Sequence, residues 1–484
     1  MRRAKHSLSH YRLFTGDMGE LLPVGCVEVL PGDTFKHRTS CLIRLSPLVA
    51  PVMHPVTVRI HHWFVPNRLV WTGWEDFITG EVDETVTPVP TINSTTTAGD
   101  LHDYLGIPRV ASIPLNAMPV RGYNKIYNEY YRDQDLISEV SEDSLSVQKV
   151  SWGKDYFAGA RPWTQKGGSV SVPIGDEAPV TGLGVIGATD QTSTSVTESD
   201  GSTPTYTASW NAGADSSNLA VEESATSGQP NIFADLSAAT GVDVNELRRA
   251  FALQRYAEAR AQYGSRYTEY LRYLGVRSSD ARLQRPEYLG GGKQTIAFSE
   301  ILQTTPQASP STSDFGVGSL YGHGIAAMRT RPYRRFFEEH GYVITLMSVR
   351  PKAMYSDMIH RKWLKTTKED WYQKELELIG QQEVYDGEIY AQTSPTANVF
   401  GYQDRYREYR EEPSTVMGEY RSTFNYWHLS RELGGSPTLN QSFVECDPSK
   451  RIHAVQTNDV LWCMVNHHLG ARRLVGKRTI GRII

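Results

Sequence analysis

The sequence predicts a mainly β protein, an eight-stranded jelly roll (a β-sandwich) with long, partly helical insertions. Residues 56–65 alternate between two faces, which is the pattern of a strand. Prolines 51, 55 and 66 bracket this run, because proline cannot donate a hydrogen bond to a sheet. The low mean hydropathy of −0.43 fits a modest core with many surface loops. Strands can be placed at 33–45, 56–65, 293–302, 342–351, 383–392, 401–410 and 460–468.

Short helices are predicted between these strands. Trp71, Trp74 and Phe77 recur at helical spacing just after the strand at 56–65. The longest helix is predicted at 242–274, where a shallow apolar face fits either a seam between subunits or a cap on the sandwich. Two further helical segments are predicted at 124–134 and 367–382.

Charge is segregated along the chain, although the net charge is only −4. Residues 1–12 carry four cations and no acid, and residues 460–484 carry five cations and no acid. Residues 167–230 contain eight acids and neither lysine nor arginine. Basic ends and an acidic segment indicate that one molecule meets two different environments.

The two basic ends are predicted to contact nucleic acid. Spaced lysines and arginines neutralise phosphates without reading base sequence. The C-terminal end, 460–484, begins with a predicted last strand and continues as a basic tail. For the N-terminal arm, a disordered, solvated tail is the alternative. The candidate DNA contacts are Arg2, Arg3, Lys5, Arg472, Arg473, Lys477, Arg478 and Arg482.

The acidic segment 167–230 is predicted to be a surface insertion that protrudes from the domain. It is rich in glycine, serine and threonine, and a loop of this length is unusual inside a compact domain. Tyr206 and Trp210 are its candidate contact residues. A disordered linker is the alternative.

Aromatic residues indicate surfaces for association with other subunits. The chain has 26 tyrosines and 10 tryptophans, and Tyr, Trp and Arg are enriched in protein interfaces. Residues 329–340 and 403–412 mix arginine, aromatic and acidic side chains, which favours contact between subunits over stacking on DNA bases. A plain preference of strands for aromatics is the alternative. The candidate interface residues are Trp63, Trp71, Trp74, Arg334, Arg335, Phe336, Tyr406 and Tyr409.

Motifs of enzymes and cofactor sites are missing from the sequence. It contains no P-loop, HExxH or GxSxG motif, and Gly322-His323-Gly324 is predicted to be a turn. Two His-His pairs, at 61–62 and 467–468, lie in predicted strands, where neighbours point to opposite faces. Each pair therefore offers one histidine to any site. We predict no catalytic residue, no metal and no cofactor.

The cysteines and the apolar runs bear on where the protein is made. Its four cysteines form no CxxC pair, which favours folding in a reducing cytoplasm. No apolar run approaches the roughly 18 residues of a membrane span, so no membrane insertion is expected. A signal peptide is also not expected, because no apolar stretch follows the basic start.

Five segments resemble the major capsid protein of the Microviridae, small icosahedral single-stranded DNA bacteriophages, on the gokushovirus side of that family. The likeness runs from near the first residue to beyond residue 425. It is carried by LSHYRLFTGDMGELLPVG (8–25), EVLPGDTFKHRTSCLIRLSPLVAPVMHPV (28–56), YFAGARPWTQKG (156–167), RYLGVRSSDARLQRPEYLGG (272–291) and FGYQDRYREYREEPSTVMGEYRSTFNYWHL (400–429).

This resemblance implies a viral jelly roll that self-assembles through pentamers into a T=1 shell of sixty copies around a circular single-stranded DNA genome. It implies that the insertion at 167–230 projects outward at the three-fold axes and contacts a host cell-surface receptor. Assembly in the bacterial cytoplasm and a place in the virion are further expectations.

The resemblance also implies partners. Sixty copies of two basic ends carry on the order of 540 positive charges, few against several thousand phosphates with one charge each. A small basic DNA-packaging protein is therefore expected, together with an internal scaffolding protein and a DNA pilot protein. The rival class is a β-sandwich carbohydrate-binding module or carbohydrate-active enzyme, which predicts a small oligomer with paired carboxylates.

Overall fold

A computed structural model describes most of the chain. The described residues are 3–79, 88–168, 244–263, 284–302, 320–391 and 394–476, with short pieces between 180 and 273. They divide into two compact units, one of residues 1–164 with 261–484 and one of residues 165–260. The second unit is longer than the insertion predicted at 167–230, because it includes most of the helix Val244–Tyr263.

The described strands and helices are numbered in chain order. The strands are β1 Ala4–Ser7, β2 His10–Gly16, β3 Leu21–Val29, β4 Thr34–Leu45, β5 Val56–Pro66, β6 Thr91–Asn93, β7 Pro114–Asn116, β8 Val180–Thr181, β9 Val185–Ile186, β10 Val196–Thr197, β11 Phe233–Ala234, β12 Glu287–Thr295, β13 Ala297–Leu302, β14 Leu320–Arg329, β15 Tyr333–Phe336, β16 Gly341–Pro351, β17 Gln381–Tyr385, β18 Val399–Asp404 and β19 Leu461–Arg473. The α-helices are α1 Trp74–Thr79, α2 Leu101–Leu105, α3 Met118–Ile126, α4 Val244–Tyr263, α5 Asp386–Ile389 and α6 Gln441–Val444.

The first unit is built on a jelly roll. The large sheet contains the order β2–β19–β4–β14, and the small sheet has the order β3–β16–β5–β12. All of these neighbours are antiparallel. Strands β2 to β5 alternate between the sheets, and β12, β14, β16 and β19 alternate again, as in a double Greek key. At the margins of the large sheet, β1 pairs with β19, β15 with β4, and β13 with β14.

The two sheets share one apolar core but differ on their outer sides. Ile43 and Val465 of the large sheet pack with Ile60 and Met347 of the small sheet. Strand β19 then alternates strictly between buried and less buried residues, which leaves one face of the large sheet open. In the small sheet, β5 and β16 are buried on both faces over much of their length, because core residues between Val70 and Ala160 and between Ala353 and Cys446 pack on them, whereas the edge strand β12 keeps exposed residues.

Helix α3 shows how closely this cover fits. A Cβ on Gly122 would lie 3.0 Å from Cδ1 of Ile344 in β16, so glycine lets the helix approach the sheet. The indole of Trp63 in β5 stacks on Tyr130 at 4.2 Å between ring centroids. The middle of the small sheet is therefore covered, whereas the described residues leave the outer face of the large sheet open.

Several predicted elements are confirmed. The strands predicted at 33–45, 56–65, 342–351 and 460–468 are β4, β5, β16 and β19. The helix after β5 is α1, and the segment 124–134 falls on the end of α3 and a π-helical turn at Tyr127–Tyr131. The predicted helix 242–274 begins as α4, and residues 264–268 lie outside the described part.

Other predictions are wrong. The run 293–302 is two strands, β12 and β13, that belong to different sheets. The strands at 383–392 and 401–410 pair with each other as β17 and β18, outside the sandwich. Gly322-His323-Gly324 lies inside β14 rather than in a turn. The segment 367–382 forms short 3₁₀ turns, not a helix. Strands β1, β2, β3, β14 and β15 were not predicted.

Candidate interaction surfaces

The large sheet carries most of the positive charge of the sandwich. Its strands, β1, β2, β4, β13, β14, β15 and β19, contain ten lysines and arginines and one acid, Glu300. The four strands of the small sheet contain three cations and two acids. Seven of the ten lie on the open face of the large sheet or at its margin, which we call the basic face: Lys5, Lys36, Arg38, Arg44, Arg329, Arg334 and Arg472.

The structure brings the two basic ends of the chain together. Strand β1 runs antiparallel to the end of β19, which places Lys5 opposite Arg472. Both side chains are exposed. Arg3 lies nearby, with its guanidinium 4.9 Å from the ring centroid of Phe336. Three residues predicted separately as DNA contacts therefore lie near one another at one margin of the large sheet.

Arg473 has a different role from the one predicted. Its guanidinium forms an ion pair of 3.0 Å with Asp33, which is fully buried in the turn between β3 and β4. Most of the Arg473 side chain is buried, so little of it is left for a phosphate. The other predicted DNA contacts, Arg2, Lys477, Arg478 and Arg482, lie outside the described residues.

Sequence reasoning missed the cations in the middle of the basic face. Lys36, Arg38 and Arg44 lie on β4, all on its outer side, and Arg329 lies on β14. Lys36, Arg38 and Arg44 are spaced by even numbers of residues within the strand predicted at 33–45. Because residues two apart in a strand share a face, this pattern could have shown that the three cations lie on one side. Arg334, predicted at a subunit interface, lies opposite Lys36 and belongs to the basic face.

An exposed apolar band crosses the same side of the large sheet. Leu13, Met464 and Leu42 lie side by side on β2, β19 and β4, and Trp462 lies one row further along, opposite Arg44. Leu13 is 80% exposed, Trp462 48% and Met464 40%. Together these four side chains, the apolar band, line a shallow hollow of about 440 Å³.

The predicted interface residues are divided by their burial. Trp63 and Tyr406 are 5% and 4% exposed, so they offer almost no surface to another subunit. Trp71 and Trp74 are half-buried and pack on Phe77. The remaining predicted residues are accessible: Arg334, Arg335, Phe336 and Tyr409. Of these, Arg335 forms an ion pair of 3.0 Å with Glu287. The predicted host contacts, Tyr206 and Trp210, lie outside the described residues.

A second exposed apolar surface lies on residues 361–380, which we call the 361–380 patch. A buried ion pair holds this segment in place, since Nζ of Lys365 lies 3.5 Å from Oε1 of Glu408 and both side chains are almost fully buried. The ammonium of Lys365 also lies 4.0 Å above the ring of Tyr409. The exposed apolar side chains of the patch are Trp363, Trp371, Tyr372, Leu378 and Ile379.

A network of buried histidines lies in the core behind the basic face. Nε2 of His467 donates to the carbonyl of Val24 at 2.9 Å, so its Nδ1 must accept. His37 Nε2 donates to that Nδ1 at 3.1 Å, and the hydroxyl of Tyr333 then donates to His37 Nδ1 at 3.1 Å. His62 packs on His37 with ring centroids 4.7 Å apart. The bond to the carbonyl of Val24 therefore sets the tautomer of neutral His467, and the hydroxyl of Thr39 also lies 3.1 Å from its Nδ1.

Burial holds these histidines neutral. Desolvation, with a smaller contribution from the neighbouring imidazoles, lowers the pKa of His467 to about 4 and that of His62 to about 3. Desolvation likewise lowers the pKa of His37 to about 2. The predicted split of each His-His pair is confirmed, because His61 hydrogen-bonds Tyr131 outside this network. Within the part of the chain that the structure describes, no group of side chains is arranged to hold a metal ion.

Two properties of the described residues limit the kinds of site present. None of their helices is both long and apolar enough to cross a membrane. The exposed surfaces described above are the basic face with its apolar band and the 361–380 patch. Such surfaces suit extended partners.

Comparisons with known proteins agree on one family. A model of the capsid protein (F protein) family matches residues 1–471. The chain is 35% identical to the capsid protein VP1 of Bdellovibrio phage phiMH2K, over 92% of this chain and 88% of the relative. It is 33% identical to the capsid protein VP1 of Chlamydia phage 1, over 94% and 91%. It is 30% identical to the capsid protein VP1 of Spiroplasma virus 4, over 92% and 88%.

Proposed function

Because the chain belongs to the capsid protein (F protein) family, we propose that sixty copies of it form a T=1 shell around a circular single-stranded DNA genome. The resemblance to the Microviridae is confirmed, and the protein is a structural, shell-forming protein of the virion. Membership of this family does not favour a carbohydrate-binding module or a carbohydrate-active enzyme.

The basic face is proposed to line the inside of the shell and to contact the genome. The observation that carries this orientation is the charge of the large sheet, with ten cations and one acid on its strands. The described residues leave the outer face of this sheet open. Cations on a sheet neutralise phosphates without reading sequence, which suits a protein that must accept every part of a genome.

Self-association is proposed to use surfaces outside the basic face. The 361–380 patch exposes five large apolar side chains, and Trp71, Trp74 and Tyr409 add accessible aromatic area. Several large apolar side chains exposed on one segment are typical of an interaction site. An obligate interface of about 2,000 Å² or more is typical of permanent assemblies. Pentamers are the proposed intermediates.

The remaining partners follow from charge and from the insertion. The basic residues of sixty copies still leave most phosphates of a genome uncompensated. A small basic DNA-packaging protein is therefore proposed, with an internal scaffolding protein and a DNA pilot protein in assembly. The acidic segment 167–230 is proposed to face outward and to contact a host cell-surface receptor through Tyr206 and Trp210.

Electron microscopy of particles from the native source tests the proposal. The expected result is uniform isometric shells built from this chain, which protect single-stranded DNA from nuclease. Image reconstruction then shows whether the basic face lines the interior. A monomer or small oligomer in the same material, without particles or nucleic acid, would overturn the proposal.

A further inference from the structure

We infer that the apolar band is a binding site for the unpaired bases of single-stranded DNA. This inference rests on the proposed function, because it names what the middle of the basic face recognises. Its ligand is a nucleobase face next to a phosphate, and the site requires bases that are not covered by a complementary strand.

The geometry of the band suits a flat apolar ligand. Leu13, Leu42 and Met464 form one row across three adjacent strands, and Trp462 lies beside them in the next row. Within the described residues, Leu13 stays largely exposed and Trp462 about half exposed, so both can contact a ligand. Aromatic and apolar side chains on a sheet are the usual platform for stacked bases, and stacking tolerates every base because each has a π-face.

The charges around the band suit the backbone of the same ligand. Arg44 lies directly opposite Trp462, and Arg329 lies opposite Ser40 one row beyond Leu42. A base on Trp462 thus has a cation beside it for its own phosphate. The acid nearest in the chain is Asp459, whose carboxylate accepts a hydrogen bond from the hydroxyl of Thr15. A band flanked by cations fits an anionic, partly apolar polymer better than a neutral or basic protein surface.

Duplex DNA would not use the band. Its base faces are stacked on one another, so only the phosphates reach the basic face. Lys36 and the other cations should therefore bind either form of DNA, whereas Trp462 should favour single strands. This difference separates base binding from plain charge neutralisation.

Fluorescence anisotropy with full-length unassembled protein tests the inference, using labelled oligo(dT) and a mixed-sequence duplex of equal length. Trp462→Ala should weaken oligo(dT) binding roughly 5- to 100-fold and leave duplex binding unchanged. Its salt dependence should stay that of the unchanged protein, because no phosphate contact is lost. Trp462→Phe should retain most of the affinity. Lys36→Gln should weaken both ligands and reduce the salt slope by about 0.7–0.9.

Two further variants check that the effect on binding is specific to the apolar band. Trp371→Ala removes a tryptophan of similar exposure, 51% against 48% for Trp462, from the 361–380 patch and should leave oligo(dT) binding unchanged. Leu13→Ser changes a residue that is too exposed to matter for folding, and it should also weaken oligo(dT) binding. Unchanged oligo(dT) binding by both Trp462→Ala and Leu13→Ser overturns the inference, as does an equal loss for duplex.

The remaining outcomes separate the inference from the proposed function. Loss of self-association by Trp462→Ala, with DNA binding intact, overturns the inference and assigns the band to a second copy. Particles that form normally from a protein without affinity for DNA also overturn it, while the shell-forming function stands.

Discussion

The histidine network is the most unusual set of residues in the core. Polar side chains are costly to bury unless every hydrogen bond is made, and here the carbonyl of Val24 orients the whole chain of donors. Protonation of His467 would place a second N–H against the one donated by His37. Protonation of the network therefore opposes folding.

We predict that the protein loses stability in mild acid. Six buried histidines have folded-state pKa values between about 2 and about 4, whereas unfolded histidine titrates near 6.5. The unfolded chain therefore takes up protons first, and stability present above pH 6.5 is lost as the pH falls toward 4. The six are His37, His54, His61, His62, His453 and His467.

Urea unfolding between pH 7 and pH 4.5 checks this expectation. Each histidine that is protonated only when unfolded contributes about 1.4 kcal/mol per pH unit to the slope. His467→Gln should reduce the slope by about one proton. A free energy of unfolding that is constant across this range would contradict the prediction.

The ion pair under the 361–380 patch gives a second residue-scale prediction. Lys365→Met leaves Glu408 buried without its cation, which should lower the free energy of unfolding by about 3 kcal/mol. Lys368→Met is the matched control, because Lys368 is 88% exposed and pairs with Glu369 at the surface. We expect the control to change stability by less than about 0.5 kcal/mol. Equal effects in urea titrations would show that the buried pair is not needed.

Strand β14 explains why one element was misread from the sequence. Its inward positions are Gly322, Gly324, Ala326 and Met328, so the alternation is between small and larger side chains instead of apolar and polar ones. The glycines are required because a Cβ on Gly322 would overlap the carbonyl oxygen of Ala50. A short motif with two glycines predicts a turn from sequence alone. Only the structure shows that a neighbouring backbone approaches the strand and requires glycine there.

We predict that this close approach makes Gly322 irreplaceable. Gly322→Ala forces its Cβ into backbone atoms and should lower stability by about 1–3 kcal/mol. Gly470→Ala is the matched control in β19, where a Cβ would meet nothing within 4 Å. The control should be neutral or slightly stabilising. Thermal unfolding of both variants checks the difference, and comparable midpoints would refute it.

Pairing between strands marks the limit of what the sequence can predict at this scale. Alternation found β4, β5, β16 and β19, because each is long and has large apolar side chains on its core face. It could not divide 293–302 at Ile296, where the chain passes from the small sheet to the large one. Nor could it assign β17 and β18 to a separate hairpin, because local patterns do not identify a strand's partner.

Charge on the whole molecule could be predicted only in part. The basic ends were visible as runs in the sequence, but their meeting across β1 and β19 depends on the sheet order. The cations of β4 do not form a run in the sequence, because residues that face the core separate them from one another. Interface predictions from residue type failed for Trp63 and Tyr406, since aromatic residues serve cores as well as surfaces.

The asymmetry of charge predicts how particles fill. Lys36→Glu should lower the amount of nuclease-protected DNA per particle, because it reverses a charge on the proposed inner surface. Lys293→Glu changes an exposed lysine on the small sheet and is the matched control. Absorbance ratios and gel analysis of purified particles measure the DNA content. The same loss in both variants would contradict the proposed orientation.

The 361–380 patch makes a prediction about assembly itself. Leu378→Asp places a charge on a side chain that is 90% exposed, so the subunit should fold normally but assemble poorly. Val110→Asp alters an exposed valine in another loop and should assemble as before. Sedimentation of particles and unassembled protein gives the measurement. Full assembly of Leu378→Asp would show that the 361–380 patch is not part of the interface.

The position of β19 also has a consequence for synthesis on the ribosome. This strand lies between β2 and β4, yet it is the last strand to be translated. Until residues 461–473 emerge, β2 has no partner in the sheet, and one edge of β4 stays unpaired. Pairing across such a long stretch of chain is slow and leaves edges exposed to aggregation. A nascent chain therefore cannot complete its basic face early, so cellular DNA meets that face only after translation of the sandwich is complete.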